Sequence, residues 1–271
     1  MKATTLAIRH ETIYRYEKPV GYSIQQLRLT PRSELLQRIN HWHIATPGKR
    51  QAAQDAFGNS SEILTIITPH QEVRIVASGV VEVQSPDRGR LTEKMLLSPL
   101  AFTVSTRLTE PLDAVRSFAA DKLPAQPTSH QLLDFSQAVC EAIHYEMGAT
   151  ISSSTASDAL ALGKGVCQDH AHLFIACCHT AGIPVRYVSG YIDPGEVAHS
   201  ASHAWVDAWV DEVDFSGWVS IDVTHARFQT AAYCRLAVGR DYESAAPVRG
   251  IRRGGGDEVL DVRVDISRLS A

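Results

Sequence analysis

Two short runs of strict two-residue alternation constrain this chain more than any other feature. In 203–210, His203, Trp205, Asp207 and Trp209 alternate with Ala204, Val206, Ala208 and Val210; in 218–222, Trp218, Ser220 and Asp222 alternate with Val219 and Ile221. Successive side chains of a strand point to opposite faces, so each run has one apolar and one mixed face. The link between them holds Asp211, Asp214, Ser216 and Gly217, a hairpin composition. An antiparallel pairing of Ala204 with Ile221, Val206 with Val219 and Ala208 with Gly217 keeps one face wholly apolar. This register sets Trp205 opposite Ser220, Asp207 opposite Trp218 and His203 directly opposite Asp222, with Cβ atoms about 4.5 to 5.5 Å apart. A one-residue slip would turn one strand over, so the apolar face holds His203 and Asp222 together.

Upstream, Gly163-Lys164-Gly165-Val166 leads Cys167 into the first turn of a predicted helix. Ala171, Phe174, Ile175 and Cys178 recur at helical spacing and mark one buried stripe, and Gly182 followed by Pro184 ends the helix. Unpaired N–H groups at a helix start carry about half a positive charge, which favours a thiolate. Asp169 in the same turn opposes that field, so a cationic partner is required, and His203 can supply it.

These residues resemble a family. Gly-Val-Cys-Gln-Asp at 165–169, Ser-His-Ala-Trp at 202–205 and Trp-Val-Ser-Ile-Asp at 218–222 look like the three blocks of the transglutaminase-like superfamily in its bacterial branch, with the same order of Cys, His and Asp. Asp55-Ala56-Phe57-Gly58-Asn59 and the stretch 10–16 resemble that branch's β-rich amino-terminal region, and Gly239-Arg240-Asp241-Tyr242 resembles a segment after its core. The resemblance implies an α+β fold: an antiparallel sandwich or barrel-like domain, then a papain-like core of helices packed on an antiparallel sheet. It implies action on protein or peptide amides, with glutamine side chains the substrate in authentic transglutaminases.

With 271 residues and 44% hydrophobic content, the chain can bury a real core. A net charge of −4 gives no general attraction to nucleic acid or an anionic membrane. No run approaches the length of a membrane helix and 1–10 lacks a signal-peptide core, so a cytoplasmic protein is expected. Cys140, Cys167, Cys177, Cys178 and Cys234 are odd in number and show no CxxC spacing, which fits a reducing compartment. Cys177 and Cys178 read as small core residues.

Alternation predicts strands over 4–16, 24–30, 38–46, 62–68 and 72–84, with turns at 18–21 and Phe57-Gly58-Asn59. This β-rich domain spans 1–90, a connector 91–109 and the catalytic core 110–271. Trp42 between His41 and His43 reads as a half-exposed strand position. Helices are expected after Pro111, after Thr128 with Gln131 as a capping box, and after Thr155 with Asp158 up to Gly163. A strand is expected over 185–191, a basic solvated loop over 249–256 and a half-buried final strand over 259–266.

The chemistry this permits is covalent, with Cys167 as nucleophile, His203 as base and imidazolium partner, and Asp222 holding the ring's tautomer. A thioester forms; water then gives a protease or amidase, a primary amine gives transamidation. The backbone N–H of Cys167 is one oxyanion donor, and Tyr145 or Gln168 are candidates for a second. Trp205, Trp218 and Tyr242 are candidates to wall the cleft on the His203 face. The expected partners are a peptide or protein substrate and an amine acceptor, with no cofactor. Two other readings stay open: a zinc-dependent hydrolase using Cys167, His170, His172, His199 and His203, although His170 and His172 are two apart on a helix and cannot face one ion, and a binding or scaffold module with an idle triad.

Overall fold

The computed structural model describes residues 3–92, 96–193, 195 and 202–269. The amino-terminal region comprises β1 (Ala3–Leu27), β2 (Gln37–Ala45), β3 (Lys49–Gln54), β4 (Ser60–Ile66) and β5 (His70–Gln84). The core holds α1 (Asp113–Lys122), α2 (Ser129–Ala142), β6 (His144–Tyr145), α3 (Ala156–Leu162), β7 (Lys164–Gly165) and α4 (Cys167–Thr180). It continues through β8 (Val185–Ile192), β9 (Ser202–Asp211), β10 (Ser216–Asp222), β11 (Arg227–Phe228), β12 (Tyr233–Gly239) and α5 (Tyr242–Ala245). Then come β13 (Val248–Gly254) and β14 (Glu258–Leu269). The whole is α+β, a curved antiparallel half-barrel beside a papain-like core. No helix among the described residues is long and apolar enough to cross a membrane.

The half-barrel runs β2-β5-β1-β4-β3, with β13 and β14 also bonded to β1. The turn expected at 18–21 is absent, because β1 continues through it. Pro19 has no N–H to give to a ladder, and here the strand changes neighbours. Up to Arg15 it lies between β5 and β14; from about Val20 it lies between β4 and β13. The basic segment expected to be a loop is β13, whose backbone completes the edge that β1 offers, and the turn into β14 is made by Gly254, Gly255 and Gly256, all with positive φ. β14 is mostly exposed, not half-buried as its alternation suggested. Among the described residues no further layer covers it, and of its side chains Val264 and Ile266 reach the cluster of Leu6, Ile8 and Tyr191.

In the core, β11-β10-β9-β8-β12 form an antiparallel sheet. The even-numbered face of β9, with Ala204, Val206 and Ala208, packs on α4. The stripe read for α4 understated its burial: every residue from Asp169 to Cys178 is buried, since α1, α2 and α3 cover the side away from the sheet. The capping pairs Thr128–Gln131 and Thr155–Asp158 form as expected, and Gly163 closes α3 with φ 67°.

The two regions meet along β12, the edge strand of the core sheet. Two amide side chains of the amino-terminal region act there as strand mimics. Gln37 accepts from the Arg235 N–H at 2.7 Å and donates to its carbonyl at 2.9 Å. Asn59, from the Phe-Gly-Asn turn, does the same to Val238 at 2.9 and 2.7 Å. Beneath them lies a buried charge network in which Asp207 takes Arg186 at 2.7 Å and Arg235 at 2.5 Å, while Arg235 also reaches Glu34 at 3.0 Å. Burial alone would raise the Asp207 carboxyl, but the two guanidinium groups hold it well below the usual range. Asp207→Ala would remove the anion that two buried guanidinium groups share, and we expect a loss of about 3–5 kcal/mol in urea denaturation.

Candidate active site

Cys167 opens α4 and is half-buried. Local packing explains why the turn before it is built as it is. Asp169, in the first turn of α4, folds its carboxylate back to accept from the Val166 N–H at 2.7 Å and from Thr150 Oγ1 at 2.7 Å. That carboxylate fills the place a side chain at position 165 would need, since a Cβ on Gly165 would lie 2.7 Å from Asp169 Oδ2. Gly165 and Asp169 therefore form one device that satisfies an exposed helix-start N–H and fixes the approach to Cys167.

His203 and Asp222 are joined, but in a different register from the one expected. Ile221 pairs with Val206, Val219 with Ala208 and Trp218 with Trp209, a shift of two residues. Apolar matching does not distinguish the two registers, because a slip of two keeps every side chain on its face. His203 thus reaches Asp222 diagonally, its Nε2–H donating to Asp222 Oδ2 at 2.9 Å. The ring's other nitrogen, Nδ1, is not used by Asp222, and Cys167 lies near enough to help raise the imidazole. Burial disfavours the imidazolium; the Asp222 charge and hydrogen bond, with a smaller contribution from Cys167, outweigh it and push His203 up to about 10. Asp222 is depressed well below the carboxylate range: burial opposes this, and His203 and His225 drive it.

Two residues missed in the sequence complete the arrangement. His225 Nδ1 donates to Asp222 Oδ2 at 2.6 Å, and the Tyr233 hydroxyl donates to the same oxygen at 2.5 Å. His225 lies three residues beyond Asp222, a spacing that signals a tight turn; Tyr233 comes from β12 and carried no local signal. The ligand atoms of His203, Asp222 and His225 lie within 4.8 Å of one another, a grouping able to take a metal ion, but here the shared carboxylate oxygen is fully used as a hydrogen-bond acceptor.

The remaining candidates separate. Trp205 lies under His203, stacked at 24° with centroids 6.2 Å apart, and its Nε1–H donates to Ser220 Oγ at 3.0 Å, so it is the floor of the site. Trp218 does not wall the cleft: four residues along β10 from Asp222, it packs edge-on to Phe102 and Trp209. Tyr242 lies beside Tyr187 on the α5 side, its backbone N–H donating to His172 Nε2 at 3.1 Å. Gln168 is engaged, donating from Nε2 to the Ser152 carbonyl at 3.1 Å. Tyr145 pairs with Gly165 through the parallel bridge of β6 and β7, and burial together with the neighbouring Cys167 raises its phenol.

Among the described residues, those considered for zinc do not assemble into one centre. His170 donates from Nε2 to the Ile143 carbonyl at 2.8 Å and bonds Thr224 Oγ1 through Nδ1 at 3.0 Å, so both nitrogens are used. His172 is fully buried against Tyr187, and burial lowers it to about 4; His199 lies outside the described residues. Cys177 and Cys178 are buried core thiols, raised by desolvation.

A helix presenting a cysteine to a histidine–aspartate pair on a neighbouring antiparallel sheet defines the papain-like class of cysteine-bearing folds. Within it, the chain belongs to the transglutaminase-like superfamily, in its bacterial form. The bacterial transglutaminase-like N-terminal region matches residues 6–82, and the transglutaminase-like superfamily core matches residues 116–223. An uncharacterized Mycobacterium leprae protein is 33% identical over 98% of this chain and 99% of its own length. A protein-glutamine gamma-glutamyltransferase of Pseudomonas aeruginosa is 30% identical over 37% of this chain and 16% of its own length. A provisionally assigned cysteine protease from Cytophaga hutchinsonii shares the fold, with TM-score 0.78, 19% identity and coverage of 100% of this chain and 92% of the other.

Two outcomes follow from this geometry. The folded His203 lies above the ordinary imidazole value of 6.5, so the stability its pairing adds is fully present below about pH 6.5 and is lost as pH rises towards 10. The difference in urea midpoint between wild type and His203→Gln should therefore be largest near pH 6 and shrink up to pH 10. Gly190 faces the Trp205 ring, and a Cβ there would lie 2.5 Å from the indole and 2.2 Å from the Cys234 carbonyl. Gly190→Ala should displace the floor under His203 and slow alkylation of Cys167 several-fold, read by mass spectrometry.

Proposed function

We propose that the protein is a cysteine-dependent acyl-transfer enzyme acting on peptide or protein amides. The observation that carries this reading is the 2.9 Å bond from His203 Nε2 to Asp222, with Cys167 at the start of α4 near enough to act on the same imidazole. The thiolate of Cys167 attacks the amide carbonyl, and its paired imidazolium donates a proton to the departing amine. A thioester remains on Cys167. His203, now neutral, removes a proton from water or a primary amine as that nucleophile attacks, and the thiolate leaves.

Asp222 keeps the His203 proton on Nε2 and stabilises the imidazolium, as the orienting acid of a triad does. Charge developing on the carbonyl oxygen is received by the Cys167 backbone N–H and by the hydroxyl of Tyr145, a residue bridged to Gly165 two positions before Cys167, whose charge acts on its phenol. Gln168 is assigned to the loop that flanks the nucleophile, because its amide is committed to Ser152. Glutamine is the acyl donor of first choice, on the likeness of the core to the Pseudomonas gamma-glutamyltransferase.

A mixture of glutamine-bearing peptides, incubated with and without a small primary amine and read by mass, distinguishes cleavage, deamidation and amine addition. Turnover by any of the three routes should vanish in Cys167→Ala and fall roughly 10²–10⁴-fold in His203→Ala. Wild-type turnover that survives in Cys167→Ala overturns the proposal. Chloroacetamide at neutral pH should modify Cys167 far faster than Cys140, Cys177, Cys178 and Cys234.

A further inference from the structure

A cavity of about 410 Å³ lies between the two regions, walled on one side by the half-barrel and on the other by the core. Tyr14, Tyr16, Ile251 and Leu260 come from β1, β13 and β14; Ser152 and Tyr242 come from the core. Its core wall reaches the site through one intervening residue on each of two paths. The Ser152 carbonyl holds the side chain of Gln168, the residue after Cys167, and Tyr242 packs on Tyr187, whose phenol lies in the field of Cys167. From this continuity we infer that the cavity binds an aromatic or large aliphatic side chain of the peptide substrate, close in sequence to the reacting amide. The inference rests on Cys167 being the nucleophile.

Charge on the walls points to a neutral occupant. Both carboxylates in the lining are matched by guanidinium groups: Glu243 lies 3.3 Å from Arg249 and 3.2 Å from Arg107, and Glu258 lies 3.1 Å from Arg252. No unmatched charge is left to select a lysine or an aspartate, whereas phenol rings offer flat apolar area for a ring or branched chain. Ile251 is 71% exposed and Leu260 52% exposed, so apolar surface stands open on this wall. The half-barrel thereby contributes half of a specificity pocket for chemistry located on the core.

Affinity labels test this without requiring turnover. N-chloroacetyl tripeptides carrying one Phe, Ala, Lys or Asp, compared with chloroacetamide, report how fast each alkylates Cys167. Phe probes should react about tenfold faster than Ala probes at one position or more, and Lys and Asp probes should gain nothing. Ile251→Asp and Leu260→Asp, exposed substitutions that leave the folded core untouched, should bring the Phe probe down to the Ala rate while chloroacetamide is unaffected. Equal Phe and Ala rates, or a Phe advantage that persists in both variants, overturn the pocket assignment and leave the nucleophile standing. Chloroacetamide labelling spread evenly over the five cysteines overturns the nucleophile assignment and this pocket with it.

Discussion

One carboxylate oxygen organises the papain-like core of this molecule. Asp222 Oδ2 receives His203 from β9, His225 from the turn after β10 and Tyr233 from β12, so three segments are pinned to a single buried point. A fully buried anion is costly unless it is well supplied with donors, and these three donors offset that cost. Its surroundings repeat the pattern. Trp205 stacks beneath His203 and passes a hydrogen bond to Ser220, which passes one to Gln229 at 2.8 Å. Moving any member of this set disturbs the ring that faces Cys167.

The sequence revealed the parts of this arrangement that depend on parity and local chemistry. Alternation placed His203 and Asp222 on one face, the glycine-rich turn placed Cys167 at a helix start, and both positions hold in three dimensions. Register was beyond it, because Val, Ile and Ala satisfy an apolar face equally well after a slip of two. His225 and Tyr233 escaped notice because their roles arise only once the sheet has formed. In the half-barrel, alternation found four of the five amino-terminal strand regions. β3 was missed: all of its residues are exposed and polar or small, so no apolar periodicity marks it. The Pro-Val-Gly stretch within β1 misled for a complementary reason, since residues that usually end strands here mark a change of partner inside one.

Association of the two regions relies on groups that a contact-by-contact view of hydrophobic burial would overlook. An edge strand such as β12 exposes N–H and C=O groups that invite unwanted pairing. Gln37 and Asn59 each occupy both polar groups of one β12 residue, supplying what a neighbouring strand would supply. The Phe-Gly-Asn turn, unremarkable by composition, is therefore a joint between the regions. Since Tyr233 lies on the same strand, the half-barrel indirectly steadies the Asp222 cluster.

The long first strand has a consequence for the order in which the molecule can assemble. Its outer flank is filled by β13 and β14, which follow the whole core in sequence. During synthesis from the amino terminus, β1 must wait with one side open until the ribosome has produced every helix and strand of the core. Such distant pairings form slowly and leave a sticky edge in the meantime. The Arg-rich composition of β13, the last piece to close that gap at residues 20–27, gives the latecomer the solubility it needs until it docks.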